Sequence, residues 1–292
     1  LTSKLFPTPL HSNVVIAVAG VGANKEFSVL ISDIPFEFAT LSNGQCFPLY
    51  LYEKDEPRPG ELLRVESEGE LIDGYRRRHA ITDGILEEFR KAYGKDVTKD
   101  DIFYYVYGIL HSPEYRSRFS SDLKKMLPRI PLTKETADYK KFTQAGRDLA
   151  EWHLNYETIE PYPLAEVSPE LGLDPWKQFQ VTKMTFAKPS AAQKATGLKA
   201  DKTTIHYNSH LTLTGIPLEA YDYIVNGKPA LEWIIERYQI TIDKASTIKN
   251  DPNDWCREHD NPRYIVDLLK RVTRVSIETN KIVASLPALN ER

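Results

Sequence analysis

The sequence holds very little sulfur. Its 292 residues include only two cysteines and two methionines. Cys46 and Cys256 are too few, and too distant from each other, to indicate a disulfide framework, and they cannot by themselves complete a cysteine-based zinc site. This usage is typical of a reducing compartment, so we expect a cytoplasmic protein.

Long apolar runs are also absent, as is a strong net charge. No stretch approaches the roughly 18 consecutive apolar residues that a membrane span needs, and Pro7, Pro9 and His11 interrupt the start of the chain where a signal peptide would be apolar. The first residue is Leu rather than Met, and we expect the chain to be part of a longer polypeptide. The net charge of −3 does not indicate a generic polyanion binder.

Recognisable catalytic motifs are missing as well. Gly20-Val-Gly22 lacks the third glycine of a dinucleotide fingerprint and the Gly-Lys-Ser/Thr ending of a phosphate loop, so we interpret it as a turn between strands. Asn261-Pro-Arg-Tyr264 departs from the Asn-Pro-Pro-Tyr tetrad of adenine methyltransferases and fits a helix start better. His206 and His210 lie in a strand-like run that separates them by roughly 13 Å, too far to share one metal ion. We therefore predict no catalytic and no metal-binding residues.

The residues that are present predict an α/β (α+β) fold, with mixed or antiparallel sheets flanked by helices. Apolar alternation and runs predict strands over 13–21, 26–33, 45–52, 179–186 and 203–213. Capping signals and helical periodicity predict helices over 102–110, 113–126, 136–154, 218–225, 229–238 and 262–285. Segments 53–74 and 187–202 read as loops. The acidic, proline-rich segment 156–175 is the best candidate linker, so we predict two lobes, residues 1–160 and 161–292.

Charge is distributed unevenly along the chain. Segments 53–73 and 151–180 are acidic, whereas 111–147 and 183–202 are rich in Lys and Arg. Such alternation suits a protein that faces a polyanion on one side and protein or solvent on another.

Several long blocks together resemble one family. They are Asp101-Ile-Phe-Tyr-Tyr-Val-Tyr-Gly-Ile-Leu-His-Ser-Pro-Glu-Tyr-Arg116, Lys125-Met-Leu-Pro-Arg-Ile-Pro131, His153-Leu-Asn-Tyr-Glu-Thr158, Leu231-Glu-Trp-Ile-Ile-Glu-Arg-Tyr238 and Asn250-Asp-Pro-Asn-Asp-Trp255, with Val18–Leu30 and Gly44–Tyr50 near the N-terminus. The family is the C-terminal specificity, or target-recognition, region of single-polypeptide type ISP restriction–modification enzymes. The resemblance covers nearly the whole chain.

The resemblance implies a division of labour within a longer polypeptide. A nuclease, a helicase-like ATPase, a helical linking region and an adenine methyltransferase would precede this region. S-adenosylmethionine, ATP and magnesium would then be bound elsewhere, and we expect no cofactor in this chain. The implied partners are double-stranded DNA and the adenine methyltransferase domain of the same polypeptide, with no membrane. The implied function is sequence-specific duplex recognition by a chain that is not an enzyme on its own. Residues 1–160 would form the target-recognition lobe, and residues 161–292 would form the second lobe.

Affinity for DNA comes mainly from Lys and Arg on phosphates, and specificity comes from side chains on base edges. We predict DNA contacts at a hairpin tip, along one helix, in the Lys-rich loop and on the strand after it: Asn24, Lys25, Arg116, Arg118, Lys124, Lys125, Lys188, Lys194, Lys199, Lys202, Tyr207 and Asn208. We interpret the aromatic run Phe103, Tyr104, Tyr105 and Tyr107 as core rather than as a base-stacking platform.

Two other functions stay open at this point. One is a protein-interaction module that docks onto a methyltransferase through the acidic segments 53–73 and 151–180. The other is a stand-alone hydrolase or nuclease assembled from distant residues such as Asp251, Asp254 and His259. A pocket where acidic residues converge would favour the enzyme, and an exposed array of basic residues would favour DNA recognition.

Overall fold

A computed structural model describes residues 2–23, 25–35, 41, 43–55, 69–170 and 172–292. The chain forms two compact units, the first of Leu1–Leu154 with Ile282–Arg292 and the second of Asn155–Lys281. The two lobes predicted from the sequence place residues 282–292 in the second lobe, whereas in the structure these residues belong to the first unit. Leu289 is buried in the core of that unit, and the N–H of Lys134 donates to the carbonyl of Asn290 (2.7 Å).

The first unit combines helices with two antiparallel sheets. Its helices are α1 (Thr2–Leu5), α2 (Asp83–Tyr93), α3 (Lys99–His111), α4 (Pro113–Arg118) and α5 (Thr136–Leu154). Its strands are β1 (Val15–Val18), β2 (Val29–Ser32), β3 (Gln45–Pro48), β4 (Tyr50–Lys54), β5 (Glu70–Ile72) and β6 (Tyr75–His79). The sheet orders are β2-β1-β3 and β4-β6-β5.

The second unit is built from shorter elements. Its strands are β7 (Ala165–Val167), β8 (Thr185–Ala187), β9 (Asp201–His206), β10 (Thr212–Thr214), β11 (Ile224–Val225), β12 (Lys228–Pro229), β13 (Thr241–Ile242) and β14 (Lys249–Asn250). Its helices are α6 (Pro175–Phe179), α7 (Ala191–Ala195), a 3-10 turn at Leu218–Tyr221, α8 (Ala230–Arg237), α9 (Asn253–Glu258) and α10 (Tyr264–Ala284), the last of which ends in the first unit's terminal segment. The main sheet has the order β7-β10-β9-β8, and every strand pairing described is antiparallel.

Helices α3 and α5 form the centre of the first unit. A capping box between Thr98 and Asp101 starts α3, which contains the helix that the sequence predicts over 102–110. The two helices approach so closely that a Cβ on Gly146 would lie 1.8 Å from the carbonyl oxygen of Tyr104, and one on Gly108 would lie 2.2 Å from that of Phe142. Both positions therefore require glycine, because any side chain would force the helices apart.

Aromatic side chains fill the core of the first unit. The rings of Tyr93 and Tyr139 stack with centroids 4.1 Å apart, and Tyr105 donates through its hydroxyl to the carbonyl of Pro131 (2.6 Å). Phe103 and Tyr107 are buried in the same core. The interpretation of the aromatic run as core is confirmed for these buried positions, while Tyr104 is only half-buried, beneath the guanidinium of Arg147.

Local chemistry explains the elements that the sequence misplaces in the first unit. The predicted strand 45–52 is two strands in different sheets, because Pro48 offers no N–H and the chain turns at Leu49. Part of the predicted loop 53–74 is strand, since β4 reaches Lys54 and β5 begins at Glu70. The predicted helix 113–126 ends at Arg118, and the residues that follow, Ser120, Ser121 and Asp122, favour turns over helix interiors.

The second unit departs further from expectation. The predicted strand 179–186 begins instead as the end of α6, which Asp174 caps through the N–H of Lys177. The predicted strand 203–213 is a β9–β10 hairpin with a turn around Asn208. The predicted helix 218–225 is a single 3-10 turn. The long helix predicted over 262–285 is confirmed as α10.

The fold class is confirmed as α+β, with helices beside small antiparallel sheets. Within the described ranges, no helix has both the length and the apolar character needed to cross a lipid bilayer.

Candidate nucleic-acid interface

The β1–β2 turn of the first unit carries the predicted hairpin-tip contacts. Gly22 has a φ of +75°, a conformation that favours glycine, and its N–H donates to the carbonyl of Lys124 (3.3 Å). Lys25 is exposed just beyond this turn, while Asn24 lies outside the described residues. The structure thus brings the hairpin turn against the basic segment that contains Lys124 and Lys125, although the turn and this segment are about a hundred residues apart in sequence.

The four basic residues predicted on one helix have different roles in the first unit. The guanidinium of Arg116 donates to the carbonyl of Leu110 (2.7 Å), so it closes the α3–α4 corner. Arg118 binds Glu114 and Glu291 and donates to the carbonyl of Leu289 (3.1 Å), so it ties down the C-terminal segment. Lys124 and Lys125 are beyond the end of α4, exposed, and without an ion-pair partner among the described residues.

The Lys-rich segment 187–202 of the second unit is more ordered than a plain loop. Ser190 and Gln193 form a capping box that starts α7, with the N–H of Gln193 donating to Ser190 Oγ (3.2 Å) and the N–H of Ser190 donating to Gln193 Oε1 (2.8 Å). Lys188, Lys194 and Lys199 are exposed along it, and in the described part of the chain none of them has an ion-pair partner. Their charges are therefore available to an anionic partner.

Lys202 differs from those three lysines. Its ammonium contacts Glu232 Oε1 (2.7 Å) and lies 5.2 Å from the ring centroid of Tyr221. The backbone carbonyl of Lys202 accepts the Tyr221 hydroxyl (2.8 Å). This lysine is engaged inside its own unit, so we expect it to contribute to stability more than to DNA affinity.

Tyr207 and Asn208 hold the β9–β10 turn together. Tyr207 is fully buried and donates to the carbonyl of Phe179 (2.8 Å), and burial raises the pKa of its hydroxyl. The Asn208 amide donates to the carbonyls of Gln178 (2.9 Å) and Gln180 (2.8 Å), while its oxygen accepts two backbone N–H groups of the turn. Because these bonds occupy both the amide nitrogen and the amide oxygen, the base contact that the sequence predicts for Asn208 would have to break them.

One arginine-rich strand of the first unit was not predicted from the sequence. Arg76, Arg77 and Arg78 are consecutive on β6, at the centre of its sheet. Their guanidinium groups contact Asp55 (3.1 Å), Glu70 (2.5 Å) and Glu53 (2.7 Å), respectively. Three adjacent arginines next to an acidic segment are a visible signal for ion pairing, but they lack the apolar alternation that predicts a strand. Three of the four acids described in 53–73, Glu53, Asp55 and Glu70, are thereby paired inside the unit, which weakens the case for the described part of this segment as a docking surface.

The residues of the enzymatic alternative are engaged structurally. Asp251 is buried, and although burial opposes its ionisation, bonds from Lys249, Asn253 and Arg257 lower its pKa to about 2. Asp254 pairs with Arg257, and the ring of His259 stacks on Trp255 at 3.9 Å between centroids. Among the residues described, no group of His, Cys, Asp and Glu side chains is arranged to hold a metal ion.

Segment 261–264, which the sequence compares with the methyltransferase tetrad, also has a structural role. Arg263 binds Glu166 (2.7 Å) and lies over the ring of Phe179, 4.5 Å from its centroid. Tyr264 begins α10 and donates to a carboxylate oxygen of Glu157 (3.0 Å). Bonds from Arg263 and then Lys270 lower the pKa of Glu166 to about 2. The segment thus opens a helix and anchors an ion-pair cluster.

Comparison with known proteins places these features in a family. A family model described as the type ISP C-terminal specificity domain matches residues 2–268, and the chain belongs to this family. No curated protein matches the sequence.

Solved structures are similar over almost the whole chain. The type ISP restriction–modification enzyme LlaBIII bound to DNA matches 100% of this chain with 32% identity and a TM-score of 0.79. A nuclease-deletion mutant of the type ISP enzyme LlaGI with a DNA substrate mimic matches 100% with 33% identity and a TM-score of 0.75. The DrdV–DNA complex matches 98% with 30% identity and a TM-score of 0.77. The matched region is only 17%, 22% and 26% of those chains, respectively.

Proposed function

We propose that this chain recognises a specific duplex DNA sequence as the target-recognition part of a larger restriction–modification polypeptide. Its membership of the specificity-domain family supports this, as does its likeness to three proteins whose structures contain DNA or a DNA substrate mimic. In this proposal the chain positions an adenine methyltransferase, and a nuclease and translocase, carried by the same polypeptide. S-adenosylmethionine, ATP and magnesium act at those other parts, and this chain contributes affinity and sequence choice.

The main structural support for DNA binding is that three lysines of segment 187–202 are exposed and have no ion-pair partner among the described residues. Lys188, Lys194 and Lys199 are exposed, while Lys202 in the same segment is paired with an acid. An ammonium is a compact point charge that suits a phosphate oxygen better than a base edge. We therefore expect these three lysines to supply affinity that is indifferent to sequence, and to release counterions when they bind.

The test is the salt dependence of binding to a fluorescent 30-base-pair duplex. For the variant Lys188→Ala/Lys194→Ala/Lys199→Ala we expect a log–log salt slope that is shallower by about 0.9 for each phosphate that the protein no longer neutralises. The matched control is Lys202→Ala/Lys228→Ala/Lys281→Ala, which removes the same charge from the same unit at lysines that are paired with Glu232, Glu236 and Glu278. No measurable binding by the unaltered chain, or equal slopes for the two triple variants, would contradict the proposal.

A further inference from the structure

The β13–β14 hairpin of the second unit is an unusual surface feature. All ten residues of 241–250 are exposed. Among them are two isoleucines, Ile242 with 64% and Ile248 with 67% of their surface open to solvent. Neither side chain belongs to the core of the unit. Because both side chains lie outside the core, their apolar surface is free to contact a partner outside the unit.

The hairpin turn is firmly built in spite of its exposure. The carboxylate of Asp243 accepts the N–H of Ala245 (3.1 Å), the N–H of Ser246 (2.7 Å) and the hydroxyl of Ser246 (2.8 Å). The N–H of Asp243 donates to the carbonyl of Ile248 (3.0 Å), and Thr247 adopts a φ of +60°. The single acid of the hairpin is thus used by the turn, which leaves Lys244 as the exposed charge at the tip.

Both ends of the hairpin are fixed to the same short segment. The N–H of Ile240, just before β13, donates to the carbonyl of Thr182 (2.9 Å). After β14, the amide of Asn253 brackets Val181, accepting its N–H (2.9 Å) and donating to its carbonyl (2.8 Å). Segment 181–182 leads into β8 and from there into the Lys-rich segment 187–202. The hairpin is therefore fixed to the residues just before β8, the edge strand of the main sheet, and the exposed lysines follow that strand in sequence.

The strand register places the two isoleucines on opposite faces of this ribbon. Ile242 pairs across the hairpin with Lys249. Ile248 precedes β14, but the bond from the N–H of Asp243 to its carbonyl continues the same pairing by one residue. Since successive residues of a paired strand alternate in side, we infer that Ile248 lies on the side opposite to Ile242. A flat protein partner would touch only one of these faces. A partner that touches both has to enclose the ribbon in a groove.

The major groove of DNA has the dimensions and chemistry for such a ribbon. It is about 12 Å wide and admits a two-stranded β-ribbon, whereas the minor groove is only about 6 Å wide. Its base edges include one apolar group, the 5-methyl of thymine, and its rims are rows of phosphates. An apolar side chain on each face, with a lysine at the tip, matches this arrangement.

We propose that the β13–β14 hairpin enters the major groove of duplex DNA, where Ile242 and Ile248 contact base edges that carry thymine methyl groups and Lys244 contacts a phosphate. This inference rests on the proposed function and deepens it, because it assigns a groove and an apolar component of sequence choice. It also separates the roles of neighbouring segments, since the lysines of 187–202 supply affinity without sequence choice.

The experiment compares binding to chemically modified pools of duplexes with a randomised core. One pool contains thymine, a second contains uracil and so lacks the major-groove methyl groups, and a third carries glucosylated hydroxymethylcytosine, which fills the major groove. We expect the unaltered chain to bind the uracil pool about fourfold more weakly for each thymine methyl group that the hairpin touches, and the glucosylated pool more weakly still. Netropsin, a minor-groove ligand, should not displace it.

The informative variant is Ile242→Ser/Ile248→Ser. It should bind the thymine and uracil pools equally, at the affinity of the unaltered chain for uracil. The matched control is Val167→Ser/Leu218→Ser, which removes two apolar side chains of similar exposure in the same unit, one of them on β7 at the opposite edge of the sheet. This control should retain the full preference for thymine. Thermal unfolding of both variants checks that the fold is intact.

The outcomes separate this inference from the proposed function. If the unaltered chain binds duplex but shows no preference among the pools, or if the isoleucine variant keeps that preference, the hairpin proposal is wrong and the proposed function stands. Displacement by netropsin would also overturn it. Unchanged DNA binding, with loss of association to the methyltransferase part added as a separate chain, would assign the hairpin to a protein partner. Absence of any duplex binding would remove both proposals.

Discussion

The two units of this chain differ in the interactions that stabilise each of them internally. The first depends on close contact between the long helices α3 and α5 and on a core rich in stacked aromatic rings. The second also has an apolar core, but its short strands and turns are held in addition by polar side chains that bond to backbone groups, such as Asn208 and Asn253, and by the ion pairs of Glu166. The second unit also presents two segments that are largely or wholly exposed, 187–202 and 241–250 respectively.

Separation of α3 from α5 should have the largest effect on one unit alone. Gly146→Ala would place a Cβ 1.8 Å from the backbone of Tyr104, and we expect it to lower the free energy of unfolding of the first unit by about 3 kcal/mol. Hydrogen exchange read by mass spectrometry should show the loss of protection in the first unit and little change in the second.

The matched control for this variant is Gly84→Ala. Gly84 also lies in a helix of the first unit, but a Cβ there would meet nothing within 4 Å. This change should be neutral or slightly stabilising, because alanine favours helix more than glycine does. Equal destabilisation by the two changes would show that the close helix contact has no special role.

Loss of the two hydrogen bonds between the Asn253 amide and the backbone of Val181 should have the next largest effect on stability. Asn253→Ala leaves the buried N–H and carbonyl of Val181 without partners, and we expect a loss of about 2 kcal/mol in the second unit. The control is Asn280→Ala, whose amide makes one exposed bond to the carbonyl of Glu219. Urea unfolding of both variants, followed by hydrogen exchange, tests this. If Asn253→Ala lowers the free energy of unfolding no more than the control does, these two hydrogen bonds do not stabilise the second unit as described.

The ion-pair cluster of Glu166 makes the second unit sensitive to acid. Its pKa in the fold is about 2, below the ordinary value of 4.5, because Arg263 and Lys270 stabilise the carboxylate. The stabilisation is therefore complete above about pH 4.5 and is lost as the pH falls toward 2. We expect it to be worth about 1 kcal/mol, since solvent screens a partly exposed carboxylate.

Thermal unfolding between pH 6 and pH 2.5 measures this contribution. Glu166→Gln should remove part of the acid dependence of the second unit and leave that of the first unit as it was. If the unaltered chain and this variant lose stability in parallel across that window, the cluster does not act in the way described.

The smallest effect separates two lysines of the same segment. Lys202→Ala should cost about 0.5 kcal/mol of stability, because it breaks a partly exposed ion pair with Glu232, and should leave the salt slope of DNA binding unchanged. Lys194→Ala should leave stability unchanged and make the slope shallower. The reverse pattern would show that pairing within the unit does not decide which lysine serves DNA.

Prediction from the sequence succeeded where the deciding interactions are local. The capping box of Thr98 and Asp101, the apolar periodicity of α5 and α10 and the buried strand β1 all depend on neighbours along the chain. The prediction failed at elements too short to show a period, such as β5, β13 and α6, where long-range contacts select the conformation. Helix α2 was missed despite its Thr82 cap.

The candidate contacts divide in the same way. The sequence identified segment 187–202 by its composition, and exposure of Lys188, Lys194 and Lys199 agrees with their proposed role. The sequence could not show that Lys202 is paired with Glu232 or that the Asn208 amide is used by the β9–β10 turn. These partners lie about thirty residues away along the chain, so only the folded arrangement reveals them.

By itself, the sequence determined the family, the α+β class, the capped helices and the segments that are rich in positive charge. Tertiary structure alone decided that residues 282–292 pack on the first unit, that α3 and α5 touch through glycines, and that Ile242 and Ile248 lie on opposite faces of one ribbon. The physical reason is that composition and periodicity act through near neighbours. Pairing of a charge, burial of an amide and the register of a two-residue strand depend on groups that only folding brings together.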